Sequence, residues 1–120
     1  MTCIYYDSKT GNVERFVNRL KLQRDWNIQK IDQVSAPVQE GHLITYTTGF
    51  GEVPPSTLRF LEENSSSIIS ITSSGNKNWG PNYALAAKKI SALFQLPILM
   101  QFELSGTADD IQKFIDNIEG

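Results

Sequence analysis

A chain of 120 residues, 40% apolar and 20% charged, has the size and composition of one soluble globular domain with a single core. A formal net charge of −2, with no long run of Lys or Arg, gives no electrostatic basis for binding nucleic acid. One cysteine, Cys3, excludes an intrachain disulfide and fits a reducing cytoplasm; no apolar run approaches the ~20 residues that span a bilayer, and the first residues lack the features of a signal peptide.

In chain order, Thr2 to Asp7 is rich in β-branched and aromatic residues and predicts a short buried strand. The turn Asp7-Ser8-Lys9-Thr10-Gly11-Asn12-Val13 follows. From Asn12 onward, Val13, Phe16, Val17 and Leu20 fall on one face of a helix, with Asn12 or Thr10 expected to cap its first turn. Asn27 to Ile31 predicts a weaker second strand, with Trp26 beside it as a packing residue. Gln33 to Gly41 contains Pro37 and no helical period, so a loop is expected to lead directly to a third strand, His42 to Thr47. The glycine- and proline-rich stretch Thr48 to Pro55 then opens a helix, with Leu58, Phe60 and Leu61 as its apolar members. Ser66 to Ser73 predicts a fourth strand, a helix is expected from Tyr83 to Phe94, and Pro97 to Leu104 predicts a fifth strand. Thr107 is placed to cap a last helix, with Asp109 and Asp110 in its first turn and Ile111, Phe114, Ile115 and Ile118 facing inward.

Strands alternating with helices imply parallel pairing through right-handed crossovers. The expected architecture is an α/β, flavodoxin-like doubly wound sheet of five parallel strands in the order 2-1-3-4-5, three layers deep, forming one domain over residues 1–120. Ligands bind such sheets beyond the carboxyl ends of the strands, where the strand order reverses. The loops after strands one, three and four emerge there, and they are the three stretches richest in glycine and hydroxyl groups.

Each loop offers a different chemistry. Ser8 and Thr10 supply hydroxyls, and Lys9, Thr10, Gly11, Asn12 and Val13 supply N–H groups at a helix N-terminus, a set that can hold a phosphate without a metal ion. Taken alone, an ordinary turn capped by Asn12 would also account for it. The G-x-x-x-x-G-K-[ST] pattern of a nucleoside-triphosphate loop is missing. Thr47-Thr48-Gly49-Phe50-Gly51 has two glycines around an aromatic, a backbone that can turn with positive φ and approach a flat ring. Its alternative is a glycine turn whose Phe50 packs on the next helix. Ser74-Gly75-Asn76-Lys77-Asn78-Trp79-Gly80 places amides beside a tryptophan, suited to reading the pyrimidine edge of a flavin and stacking on its face; Trp79 could equally contact a protein or plug the core. Together the three loops predict an FMN site. A low-molecular-mass phosphatase would need a cysteine in the first loop, and a response-regulator receiver an aspartate after strand three, where Thr47 and Thr48 stand. Cys3 reads as a buried strand residue and His42 as a strand-end residue without metal-ligand partners.

Ser8-Lys9-Thr10-Gly11-Asn12 resembles the phosphate loop of flavodoxins. Combined with Thr45 to Pro54, Ser74 to Gly80 and Phe102-Glu103-Leu104-Ser105-Gly106-Thr107, the chain resembles the NrdI family over nearly its whole length. That resemblance implies an FMN-binding redox protein whose hydroquinone reacts with dioxygen. The oxidant so formed, superoxide or a peroxide species, would assemble the dimanganese-tyrosyl radical cofactor of class Ib ribonucleotide reductase. The implied partners are the radical-bearing dimanganese subunit, a flavodoxin- or ferredoxin-type reductase, and dioxygen, for a cytoplasmic monomer. The reactive flavin edge would lie beside Gly49, Phe50 and Gly51, with no catalytic side chain and no metal of its own. An electron-shuttling flavodoxin and a non-redox phosphate- or nucleotide-binding module are the two other readings of these residues.

Overall fold

Five short segments pair side by side, the central three largely buried and the two at the edges only partly so. They are β1 (Cys3–Tyr6), β2 (Asn27–Lys30), β3 (Gly41–Tyr46), β4 (Ile68–Gly75) and β5 (Ile98–Glu103). In the computed structural model, which describes residues 1–49 and 51–120 apart from the side chains of Trp79, Pro81 and Asn82, all four pairings are parallel and the order is β2-β1-β3-β4-β5. Parallel neighbours need a crossover from one end of the sheet to the other. The helices α1 (Asn12–Gln23), α2 (Pro55–Asn64) and α3 (Ala86–Phe94) supply the crossovers after β1, β3 and β4, and α4 (Ala108–Glu119) closes the chain. The expected order and layering are met. No helix among the described residues is long and apolar enough to cross a membrane.

The strands' alternation divides the core in two. On one face Ile4, Ile44 and Phe102 pack with Phe16 of α1 and Phe114 of α4. Phe16 stacks on Phe102 at 4.1 Å between ring centroids and meets Phe114 edge-on at 5.5 Å. Trp26 packs against Phe114, the packing role its position suggested. On the other face Tyr5, Leu43 and Ile71 pack with Phe60 and Leu61 of α2 and with Ala86, Ala87 and Ile90 of α3.

Local chemistry sets the helix ends. Thr107 caps α4 by accepting from the Asp110 N–H at 3.1 Å, while the Asp110 carboxylate accepts from the Thr107 N–H at 2.9 Å. At α1 the expected side-chain cap by Asn12 or Thr10 is not formed. Gly11 occupies that position at φ +94°, a conformation that favours glycine, and the Ser8 hydroxyl reaches in to accept from the Glu14 N–H at 3.2 Å. The third helix starts at Ala86 rather than Tyr83. Ala84 takes φ +51°, and its Cα sits 2.7 Å from where a Cβ on Gly75 would stand, so this turn closes tightly over the end of β4 before a helix can begin. A short 3-10 turn, Ile31–Gln33, replaces the start of the direct loop expected after β2.

Candidate functional site

The carboxyl ends of β1, β3 and β4 bring the three loops around one cavity of about 430 Å³, within the range that holds small-molecule ligands. Ser8, Lys9, Thr10, Asn12 and Val13 line it from the first loop, Thr47 and Thr48 from the second, and Ser74, Gly75 and Asn76 from the third. Gly11 lies within the first loop between two lining residues. Gly49 and Gly51 continue the second loop at φ +56° and +96°, beyond the lining. There the Thr48 N–H donates to the Glu52 carbonyl at 2.9 Å and the Glu52 N–H donates back at 2.7 Å, which closes a tight hairpin. Phe50 and the Trp79 side chain lie outside the described residues. Asn78 and Gly80 are exposed past the rim, with the Asn78 N–H donating to the Asn76 side chain at 2.9 Å.

The first loop has the donor set a phosphate requires. Among the described hydrogen bonds, the N–H groups of Lys9, Thr10, Gly11, Asn12 and Val13 have no acceptor within the protein, as expected of donors at a helix N-terminus. The Asn12 side chain has a different task. Its Oδ1 accepts from Arg15 Nη2 at 2.5 Å and from the Ser105 hydroxyl at 2.9 Å, and Arg15 Nε donates to Ser105 Oγ at 2.9 Å. Arg19 donates to the carbonyls of Ser105 and Gly106. Asn12 therefore clips α1 to the loop after β5 and offers the cavity its backbone N–H.

That loop is a fourth wall which local sequence reasoning did not assign to the site. Leu104, at φ +52°, lines the cavity. Its N–H donates to the Gly75 carbonyl at 2.8 Å and its carbonyl accepts from the Ser74 hydroxyl at 2.6 Å. Ser74 thus acts through Leu104 as well as from its own place on the wall. Tyr46 also lines the cavity; burial pushes its phenol above the usual range, the nearby Asp7 carboxylate adds to this, and the Ser56 hydroxyl opposes it. The family-like run Phe102 to Thr107 was the available signal for Leu104, and strand alternation alone gave none for Tyr46.

A second and larger cavity, about 680 Å³, adjoins the first on the α2 side. Ser8, Lys9 and Tyr46 line both. Its remaining charged groups include Asp7, Lys30, Asp32, Arg59 and Glu63, a mixture that selects no ligand charge. Of the residues with unpaired N–H groups only Lys9 lines it, against Lys9, Thr10, Asn12 and Val13 for the smaller cavity. The smaller cavity is the better candidate for an anionic ligand. Among the described residues, no three His, Cys, Asp or Glu side chains gather as a metal ion would need.

Comparison with known proteins places the chain in a family. The family model described as NrdI flavodoxin-like matches residues 4–116. The chain belongs to that family. It is 46% identical to Protein NrdI of Bacillus licheniformis over 119 residues, covering 99% of this chain and 88% of that protein. It is 49% identical to the SPbeta prophage-derived protein NrdI of Bacillus subtilis over 114 residues, covering 95% and 88%. Protein NrdI of Macrococcus caseolyticus is 37% identical over 119 residues, covering 99% and 89%. Among solved structures, a short-chain flavodoxin associated with a bacterial microcompartment superposes with a TM-score of 0.76 at 18% identity, covering 98% of this chain and 93% of that one. At that identity the likeness establishes the flavodoxin-like fold.

Proposed function

We propose that the cavity binds FMN and that this NrdI-family chain serves class Ib ribonucleotide reductase. In that role it supplies the oxidant that assembles the dimanganese-tyrosyl radical cofactor of the reductase's radical-bearing subunit. One observation carries the cofactor assignment: Lys9, Thr10, Asn12 and Val13, whose backbone N–H groups have no acceptor among the described hydrogen bonds, line the same cavity as Thr47, Thr48, Gly75 and Asn76. A phosphate monoester satisfies the first set, and a flat ring system fills the space toward the second and third loops. When bound, the flavin supplies the redox chemistry, passing electrons from a flavodoxin- or ferredoxin-type reductase to dioxygen.

The chain's own residues bind and orient. Ser8 and Thr10 add hydroxyl donors beside the phosphate, and exposed Lys9 adds positive charge at the mouth. Gly49 and Gly51, without side chains, would leave peptide groups free to approach the ring edge on the side of dioxygen and the partner subunit. Asn76, which lines the cavity, would read the pyrimidine end, with Asn78 just beyond the rim. A cytoplasmic, monomeric protein suits this role.

Titrating the purified chain with FMN and with riboflavin tests the cofactor assignment. FMN should quench and bind, riboflavin should bind more weakly by the lost phosphate contacts, and a chain that takes up neither removes the assignment. Adding the reduced, FMN-loaded chain and dioxygen to the manganese-loaded reductase subunit should then yield tyrosyl radical. FMN uptake without radical would leave an electron carrier.

A further inference from the structure

Asp7 is a buried carboxylate, 6% exposed, at the last position before the phosphate loop. It accepts from the Ser56 hydroxyl at 2.5 Å and the Thr57 hydroxyl at 2.7 Å, and Thr57 shares a further hydrogen bond with Thr45 at 2.7 Å. Ser56 and Thr57 lie in the first turn of α2, where the cap residue Pro54 contributes no side-chain acceptor. The carboxylate thus sits beside the positive end of that helix, held through two side-chain hydroxyls of its first turn. Among the described residues the ion pairs involve other side chains, so neutral hydroxyls and a helix dipole hold this charge.

We propose that Asp7 is a fixed anion behind the phosphate loop that biases the site against the reduced form of the bound flavin, making the reduced flavin a stronger electron donor to dioxygen. This rests on the reading that the cavity holds FMN. Asp7 precedes Ser8, and Ser8, Lys9 and Tyr46 form the wall shared by the two cavities. Asp7 itself lines the larger cavity, and the residue that follows it lines both. The neighbouring Tyr46 phenol registers this field, since the Asp7 charge raises its pKa in addition to the larger effect of burial. Two electrons and one proton taken up from an external donor leave the flavin with one added negative charge, and Asp7 opposes that charge by the same Coulomb repulsion. As a general scale, two unit charges about 10 Å apart at an effective dielectric near 20 change an equilibrium by about tenfold.

The test uses the full chain loaded with FMN and reduced by dithionite at mildly alkaline pH against a reference dye. Asp7→Asn keeps an acceptor for the two hydroxyls and removes the charge. It should raise affinity for reduced relative to oxidised flavin by about tenfold. Asp7→Ser, a second neutral variant of different shape, should move the ratio in the same direction. Ser56→Ala keeps the charge on its Thr57 hydrogen bond and should leave the ratio within about twofold of the parent. Neutral variants that match the parent overturn the proposal, as does Ser56→Ala shifting the ratio as far as Asp7→Asn does. A parent chain that takes up no FMN overturns the cofactor reading and this inference together, whereas FMN uptake with an unmoved ratio overturns this inference alone.

Discussion

The two faces of the sheet are held by different forces. Beneath α1 and α4, Phe16, Phe102 and Phe114 form a stacked and edge-on aromatic cluster, each ring at most 1% exposed. Beneath α2 and α3, buried polar groups stand among the apolar ones: Asp7, Thr45, Thr57, Thr47 and Ser73. There the Thr47 hydroxyl accepts from the Ala86 N–H at 3.2 Å, and the Ser73 hydroxyl donates to the Ala84 carbonyl at 2.6 Å and accepts from the Ala87 N–H at 3.1 Å. The aromatic face is an area-driven core without directional demands. The polar face spends buried hydrogen bonds on fixing where loops leave the strands, and those loops line the site. Stability and site geometry are thus weighted toward opposite sides of one sheet, the Asn12–Ser105 clip on the α1 side being the exception.

That contrast can be broken most severely at Phe16. Phe16→Ala removes a fully buried ring from the aromatic cluster and should cost about 4 kcal/mol in urea unfolding. A cost below that of an exposed substitution would mean the cluster does not carry the fold. Thr57→Val preserves shape on the polar face while removing a donor to Asp7 and the partner of Thr45, and should cost about 2 kcal/mol. Its effect on FMN affinity should exceed that of Phe16→Ala measured at a temperature where both chains are folded. Thr72→Val should act in the opposite direction. Thr72 lies opposite Ile44 and Met100 on the aromatic side, and among the described residues its hydroxyl is the buried side-chain group without a hydrogen-bond partner. Replacing it should raise stability by about 1 kcal/mol, and a loss would show that the hydroxyl is satisfied in solution.

The smallest effect concerns His42, half-buried near the amino end of β3, with Nδ1 2.6 Å from the Ser70 hydroxyl. Burial lowers its pKa below the ordinary 6.5, so below pH 6.5 the unfolded chain binds the proton more readily than the folded one. The contribution is complete above pH 6.5 and is lost as pH falls through the window down to the lower folded value. Melting temperatures of the parent should drop across that window, and those of His42→Asn should drop less.

Much of this arrangement was legible in the residues themselves. The spacing of Val13, Phe16, Val17 and Leu20 specifies a helix and the face it buries, and the alternation of strand and helix specifies a parallel sheet, for which the flavodoxin-like order was the expected one. Hydroxyls and glycines at three strand ends marked three walls of the cavity. What stayed hidden depends on contacts between distant segments. The close approach of Ala84 to Gly75 cancels a helical turn that periodicity supports at Tyr83. Leu104 joins the site only because its backbone pairs with Gly75 and Ser74, and Asp7 gains its two hydroxyl donors from a helix that begins 48 residues later. Asn12 looked like a cap and a phosphate ligand, yet its side chain is committed to Ser105, 93 positions away.

The clip between α1 and the loop at Ser105 also has a consequence for biosynthesis. The first wall of the cavity leaves the ribosome with residues 8–13, but Leu104 and the Arg15–Ser105 and Arg19–Gly106 contacts arrive only when nearly the whole chain has emerged. A nascent chain has an open groove where the finished protein has a four-walled pocket. The complete four-walled pocket therefore exists only once β5 and the loop that follows it have docked.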